Sequence, residues 1–99
     1  MVTNNRDKIL DISVNLARVS DWILKENKQK LVDQFMQETA IFLENISRSD
    51  VSTQFQPTYD RFKLEFKKLL KDRYQADKEE WAERALTWAN ILQHRAKYA

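Results

Sequence analysis

The sequence predicts an all-α protein, a four-helix bundle with up-down-up-down connectivity. Three observations carry that expectation. Glycine is absent and proline occurs once, so the Asn-Gly and Gly-X turns that close tight β-hairpins are missing. Apolar residues recur at three- and four-residue spacing along four segments. Short polar links join those segments, and short links favour antiparallel neighbours. The helices are expected near residues 5–26, 28–47, 57–74 and 77–97, in one helical domain spanning 1–99.

At 100° per residue, Ile9, Ile12, Leu16, Val19 and Ile23 share one face of the first segment, with Leu10, Ala17 and Leu24 widening it. Asn4 or Asn5 suits its N-cap. The second segment aligns Leu31, Val32, Phe35, Met36, Phe42, Leu43 and Ile46, with Thr39 in the middle of the stripe. That stripe is turned by roughly a third of a turn from the first, so one straight helix would need two burial directions. A break is therefore expected at "KENK", with Asn27 left-handed in place of glycine. "ISRSDVSTQFQPT", residues 46–58, is the expected loop, and Pro57 suits the first turn of the third helix. Tyr59, Phe62, Phe66, Leu69 and Leu70 form that helix's stripe, with Phe55 just upstream. "ADKEE" opens the fourth helix: Asp77 can accept the Glu80 amide while Glu80 reaches back, a variant of the capping box.

The stretch "WAERALTWANILQHRA", residues 81–96, holds two of the three tryptophans and the only histidine. With Trp81 at 0°, Ala85 falls at about 40°, Trp88 at about 340°, Leu92 at about 20° and Ala96 at about 60°. Both indoles are expected inward, beside alanines that let a neighbouring helix approach. The expected core is Trp81, Trp88, Leu92, Phe62, Phe66, Leu69, Phe35, Phe42, Ile9, Leu16 and Ile23. His94 lies near 220° with Glu83 and Thr87, on the solvated side.

Composition narrows the function classes. Apolar residues make up 42% and charged residues 32%, an ordinary soluble balance. No apolar run approaches the roughly 18 residues of a membrane span. "MVTNNRDKIL" lacks the apolar stretch of a signal peptide, so a cytoplasmic location is expected. The absence of cysteine fits that location and excludes disulfides. Without glycine, neither the Walker loop nor the dinucleotide fingerprint is present. One histidine and no cysteine argue against zinc. The residue three before His94 is Ile91, so no Glu-x-x-His di-iron motif exists. There is no EF-hand loop and no glycine-containing nucleophile turn. Glu79, Glu80 and Glu83 sit in a first turn, where acids complement the helix dipole. No enzyme activity, cofactor or metal is expected.

Some side chains fall outside the stripes: Trp22, Val14, Ile41, Leu64, Ile91 and Tyr98. Trp22 is the sharpest, since tryptophan is favoured at interface hot spots. In "RFKLEFKKLLKDR", Lys63, Lys67 and Lys71 form an i, i+4, i+8 row. The net charge of +2 does not by itself demand an anionic partner. The expected function is a non-catalytic adaptor or regulator acting through protein contacts, as a homodimer. Trp22, Ile41 and Leu64 would supply apolar contacts, and Lys63, Lys67 and Lys71 charge complementarity. The alternative is a small nucleic-acid-binding protein using the basic face of the third helix. It is not favoured, because aromatics in that helix point away from the lysines and offer no stacking platform.

Overall fold

Apolar periodicity and capping chemistry produce the four expected helices. In a computed structural model that describes residues 5–99, they run Asn5–Trp22 (α1), Gln29–Glu44 (α2), Gln56–Asp72 (α3) and Lys78–Arg95 (α4). Short 3-10 turns form at Arg48–Asp50 and Ala96–Tyr98. No strand forms among the described residues. Each α-helix is shorter than the apolar spacing predicts, because that spacing continues past the last helical hydrogen bond. α1 ends at Trp22 rather than near 26. Leu24 and Lys25 donate to the carbonyls of Asp21 and Trp22, at 3.3 and 3.0 Å, in i→i+3 bonds that tighten the exit. Asn27 then adopts φ 64°, the left-handed conformation expected at this break, though beyond the helix end. Of the two candidate caps, Asn4 lies outside the described residues. Asn5 is already helical, and its side-chain amide donates to the Asp50 carbonyl at 2.7 Å.

Pro57 sits in the first turn of α3. Asp77 caps α4 by accepting the Glu80 amide at 3.2 Å; the return bond from Glu80 is absent among the described residues. The segment between α2 and α3 departs from a simple polar loop. Ile46, Val51 and Phe55 are all buried in it. The Tyr59 hydroxyl donates to the Ile46 carbonyl at 2.7 Å, tying that segment to α3.

Polar contacts at the two ends fix the directions of the helices. Asn5 meets Asp50, Lys8 meets the Asn45 carbonyl, and Ser52 donates to the Tyr98 carbonyl. At the opposite end, Tyr74 donates to Asp33 at 2.7 Å and Arg73 pairs with the same carboxylate at 3.3 Å. Sequential helices are therefore antiparallel, the up-down-up-down arrangement.

Side-chain size sets how close the helices come. Ala82, Ala85, Ala89 and Ala96 are buried on α4 and its 3-10 extension, and Ser13 and Ser20 are buried on α1. These small residues let α1 and α4 pack closely along their length. There the Ser13 hydroxyl donates to the Ala89 carbonyl at 2.7 Å, which satisfies a buried donor. Rings stand between α3 and α4 instead. Phe62 lies 5.5 Å from Trp88 and 5.7 Å from Phe66, centroid to centroid. Trp81 is wholly buried, and its Nε1–H donates to the Leu69 carbonyl at 2.9 Å.

Ile9, Leu16, Ile23, Phe62, Phe66, Leu69, Trp81 and Leu92 are buried as the sequence predicts. Three expected core residues are corrected: Phe35, Phe42 and Trp88 are only half-buried. Each packs against the core without being fully enclosed by it. Conversely, Asn15 is buried, and its Nδ2 has no hydrogen-bond partner among the described residues.

Two outcomes follow. Trp81→Ala should cost about 3–5 kcal/mol, because it opens a cavity and frees the Leu69 carbonyl. Trp88→Ala should cost clearly less. Urea unfolding followed by circular dichroism compares them, and equal losses would contradict the placement. The Tyr74 phenol is pushed up to about 12, first by desolvation, then by its hydrogen bond to Asp33 and that carboxylate's charge, against the pull of Arg73. Its folded pKa is raised, so its stabilising contribution is complete below the unfolded value of about 10. That contribution is lost as pH rises towards the folded value of about 12. The phenolate absorbance of the folded protein should include a late-ionising component that disappears in Tyr74→Phe and shifts to lower pH in Asp33→Asn.

Candidate interaction surfaces

Helical phase divides α3 into an inner aromatic arc and an outer basic one. With Phe62 at 0°, Phe66, Tyr59 and Leu69 fall at about 40°, 60° and 340°, and all four are buried. Lys63 falls at about 100°, Lys67 at 140°, Lys71 at 180°, Leu64 at 200°, Lys68 at 240° and Arg61 at 260°. All of these are exposed, and Leu64 at 62% is the most exposed large apolar residue described.

The acids of α3 do little to offset that outer arc. Asp60 is held by Arg48 from the preceding 3-10 turn at 2.9 Å, and Asp72 by Arg84 of α4 at 3.2 Å. Glu65 pairs with Lys68 at 3.4 Å. The hydrogen bond to Asp60, with its charge, raises the Arg48 pKa further above its ordinary value. Arg61, Lys67 and Lys71 have no acidic partner among the described residues. The Lys63 ammonium lies 5.4 Å from the Tyr59 ring centroid, a cation–π contact.

Two depressions flank α3. A groove of about 570 Å³ runs between α2 and α3. Leu43, Ile46, Phe66 and Leu70 supply its apolar lining, Lys63 and Lys67 its α3 rim, and Glu44 part of its α2 rim. A cleft of about 600 Å³ lies between α3 and α4, beside Trp88. The aromatic rings that hold α3 away from its neighbours leave these spaces at the surface.

The sequence-derived contact residues do not form one patch. Trp22 is half-buried, with its ring edge-on to Phe35 at 4.9 Å, and the Arg18 guanidinium lies 5.7 Å from the Phe35 centroid. It belongs to the α1–α2 seam. Ile41 is 50% exposed on the outward side of α2. Leu64 is on the outward side of α3, and neither it nor Ile41 lines the groove. Lys63 and Lys67 line the groove, whereas Lys71 stands outside its lining. Val14 and Leu86 are exposed on α1 and α4, and His94 is exposed.

Two features escape a helix-by-helix reading. Ala40, Leu43 and Ile46 supply the α2 side of the groove, and Trp88 borders the second cleft. Each arises from residues on two helices held at a distance, and no single stripe encodes that distance. Among the described residues, no group of three His, Cys, Asp or Glu is placed to hold a metal ion. No helix among the described residues is long and apolar enough to cross a membrane. No protein family, curated protein or solved structure matches the chain. Its class therefore rests on its own architecture: an all-helical four-helix bundle with a basic third helix.

Packing and exposure separate the three apolar candidates in a stability measurement. Ile41→Ser and Leu64→Ser should change unfolding free energy by no more than about 0.5 kcal/mol. Trp22→Ala should lose more than about 1 kcal/mol, through buried area and the aromatic pair with Phe35. A neutral Trp22→Ala in chemical denaturation would show that the indole does not hold the α1–α2 seam.

Proposed function

We propose that this protein acts by binding rather than catalysis, as a small adaptor or regulator whose α2–α3 groove receives an acidic amphipathic segment of a partner protein. The observation that carries this reading is the groove's chemistry. An apolar floor of Leu43 and Ile46, with half-buried Leu70 beside it, meets a rim carrying Lys63 and Lys67. An amphipathic helix lays its apolar face into such a groove. Glutamates or aspartates flanking that face would meet the lysines, speeding encounter and fixing register. The cytoplasm is the compartment we assign, on the cysteine-free composition. Self-association belongs to the same proposal: a second copy is the alternative occupant of the exposed apolar positions, and sedimentation across concentration tests it.

One observation favours a second reading. Arg61, Lys67 and Lys71 face outward without acidic partners, which would suit phosphates of a nucleic acid. The two readings use the lysines differently. A nucleic acid would follow the outer arc and need Lys71 as much as Lys63. A helix in the groove needs Lys63 and Lys67 and is nearly indifferent to Lys71.

A designed helical peptide with leucines at i, i+3 and i+7 and flanking glutamates provides the probe. It should perturb the methyl resonances of Leu43 and Leu70, with affinity falling about tenfold in Lys63→Glu/Lys67→Glu and little in Lys71→Glu. No methyl perturbation would overturn the groove reading. Salt-sensitive retention of DNA or RNA that falls equally with Lys63→Glu and Lys71→Glu would favour the alternative.

A further inference from the structure

We propose that the cleft between α3 and α4 is a binding site for a flat aromatic acid, a small molecule with a ring and one carboxylate or phosphate group. This site is separate from the α2–α3 groove and does not depend on it. The cleft's volume of about 600 Å³ lies within the roughly 300–1,000 Å³ of small-molecule pockets.

Its lining divides into two kinds of chemistry. One wall carries the half-buried indole of Trp88, backed by Phe62 at 5.5 Å and continued by Ile91 one turn on. A flat ring can pack on that surface with little loss of side-chain freedom, because Phe62 already restrains the indole. Arg61 of α3 and Arg95 of α4 supply the second kind. Neither guanidinium pairs with an acid among the described residues. Both are planar forks suited to two-point recognition of carboxylate or phosphate. Glu65 also lines the cleft and is the feature most opposed to an anion, but its carboxylate is paired with Lys68 at 3.4 Å.

A further positive element lies at the same place. Pro57 and Thr58, in the first turn of α3, line the cleft, and the positive end of the helix dipole adds to the two guanidiniums. Of that turn's amides, Gln56 already donates to the Ser52 carbonyl at 3.1 Å and Pro57 has none to offer. Hydroxyls of Thr58 and Thr87 complete the polar lining. Two cations from different helices and an aromatic wall together select a ligand that is flat at one end and anionic at the other. A purely apolar ligand would leave the guanidiniums unused, and a bare anion would leave the indole bare.

The test uses the full chain labelled with nitrogen-15, in which the three indole Nε1–H resonances are assigned by single Trp→Phe changes. Indole-3-acetate and adenosine monophosphate are the probes for carboxylate and phosphate. At least one should move the Trp88 resonance saturably while leaving that of buried Trp81 in place. Affinity should fall at least about tenfold in Arg61→Ala and in Arg95→Ala, with partial recovery in Arg95→Lys, which keeps the charge but loses the fork. Circular dichroism should be unchanged, since both arginines are exposed. The proposal is overturned if neither probe moves the Trp88 resonance at millimolar concentration. It is equally overturned if inorganic phosphate binds as tightly as adenosine monophosphate, or if the double arginine variant binds as well as the parent.

Discussion

The difference in side-chain size between the two flanks of α4 governs the rest of the structure. Ala82 and Ala89 lie towards α1, and Trp81 and Trp88 towards α3. A helix with small residues on one side draws its neighbour close, and rings on the other hold the next helix away. The close side gains dispersion contacts along two backbones and the Ser13–Ala89 hydrogen bond. The wide side must be filled by rings, and they fill its centre better than its margins. Trp81 lies at the centre, wholly buried and bonded to Leu69; Trp88 lies at the margin, half-buried. One residue type at i and i+7 therefore has two roles, set by depth in the seam rather than by helical phase.

Electrostatics follow from that geometry. The acids of α3 are engaged by partners from before, within and after the helix. Exposed pairs of this kind add little stability, typically about 0–1 kcal/mol each. Their larger consequence concerns what remains unpaired. Because Arg48 and Arg84 come from outside α3, they neutralise acids without using up α3's own cations. The outer arc keeps a basic character that the overall charge of +2 conceals. Its field reaches only about a Debye length at physiological salt, roughly 8 Å. Under the proposed function, it would act only on a partner already near the surface.

Much of the fold was legible because it depends on local rules. The absence of glycine, the 3.6-residue period, Pro57 at a helix start and Asp77 as a cap each act within a few residues. Asn27 was legible for the same reason, since positive φ disfavours most side chains and tolerates Asn. Helix ends were less legible, because apolar spacing does not mark where α1 gives way to 3-10 turns. Ile46, Val51 and Phe55 were hidden in a polar stretch, because no periodic pattern marks the few buried residues of an irregular segment. The candidate sites were legible only in part. The lysine row could be read from spacing alone, as could Leu64. Trp22 was misplaced by treating α1's buried face as narrow, when it packs against two neighbours and buries a wider arc, including Asn15. The grooves were not legible at all, since they depend on the separation between helices.

That separation is more than imperfect packing. A bundle gains from closing a gap when the surfaces that meet are apolar. Here the margins carry Lys63 and Lys67 on one side of α3 and Arg61 and Arg95 on the other. Moving α3 inward towards α2 would strip water from the two lysines, with Glu44 alone among the groove-lining residues to answer them. Moving it towards α4 would bring the two guanidiniums together against Glu65, which is already paired with Lys68. Desolvating charge without full compensation costs several kcal/mol per ion, more than the apolar lining of a shallow groove returns. The aromatic rings hold α3 off from within, and the cations oppose its closure from without. The depressions on both sides of this helix are thus bordered by cations whose desolvation opposes their closure.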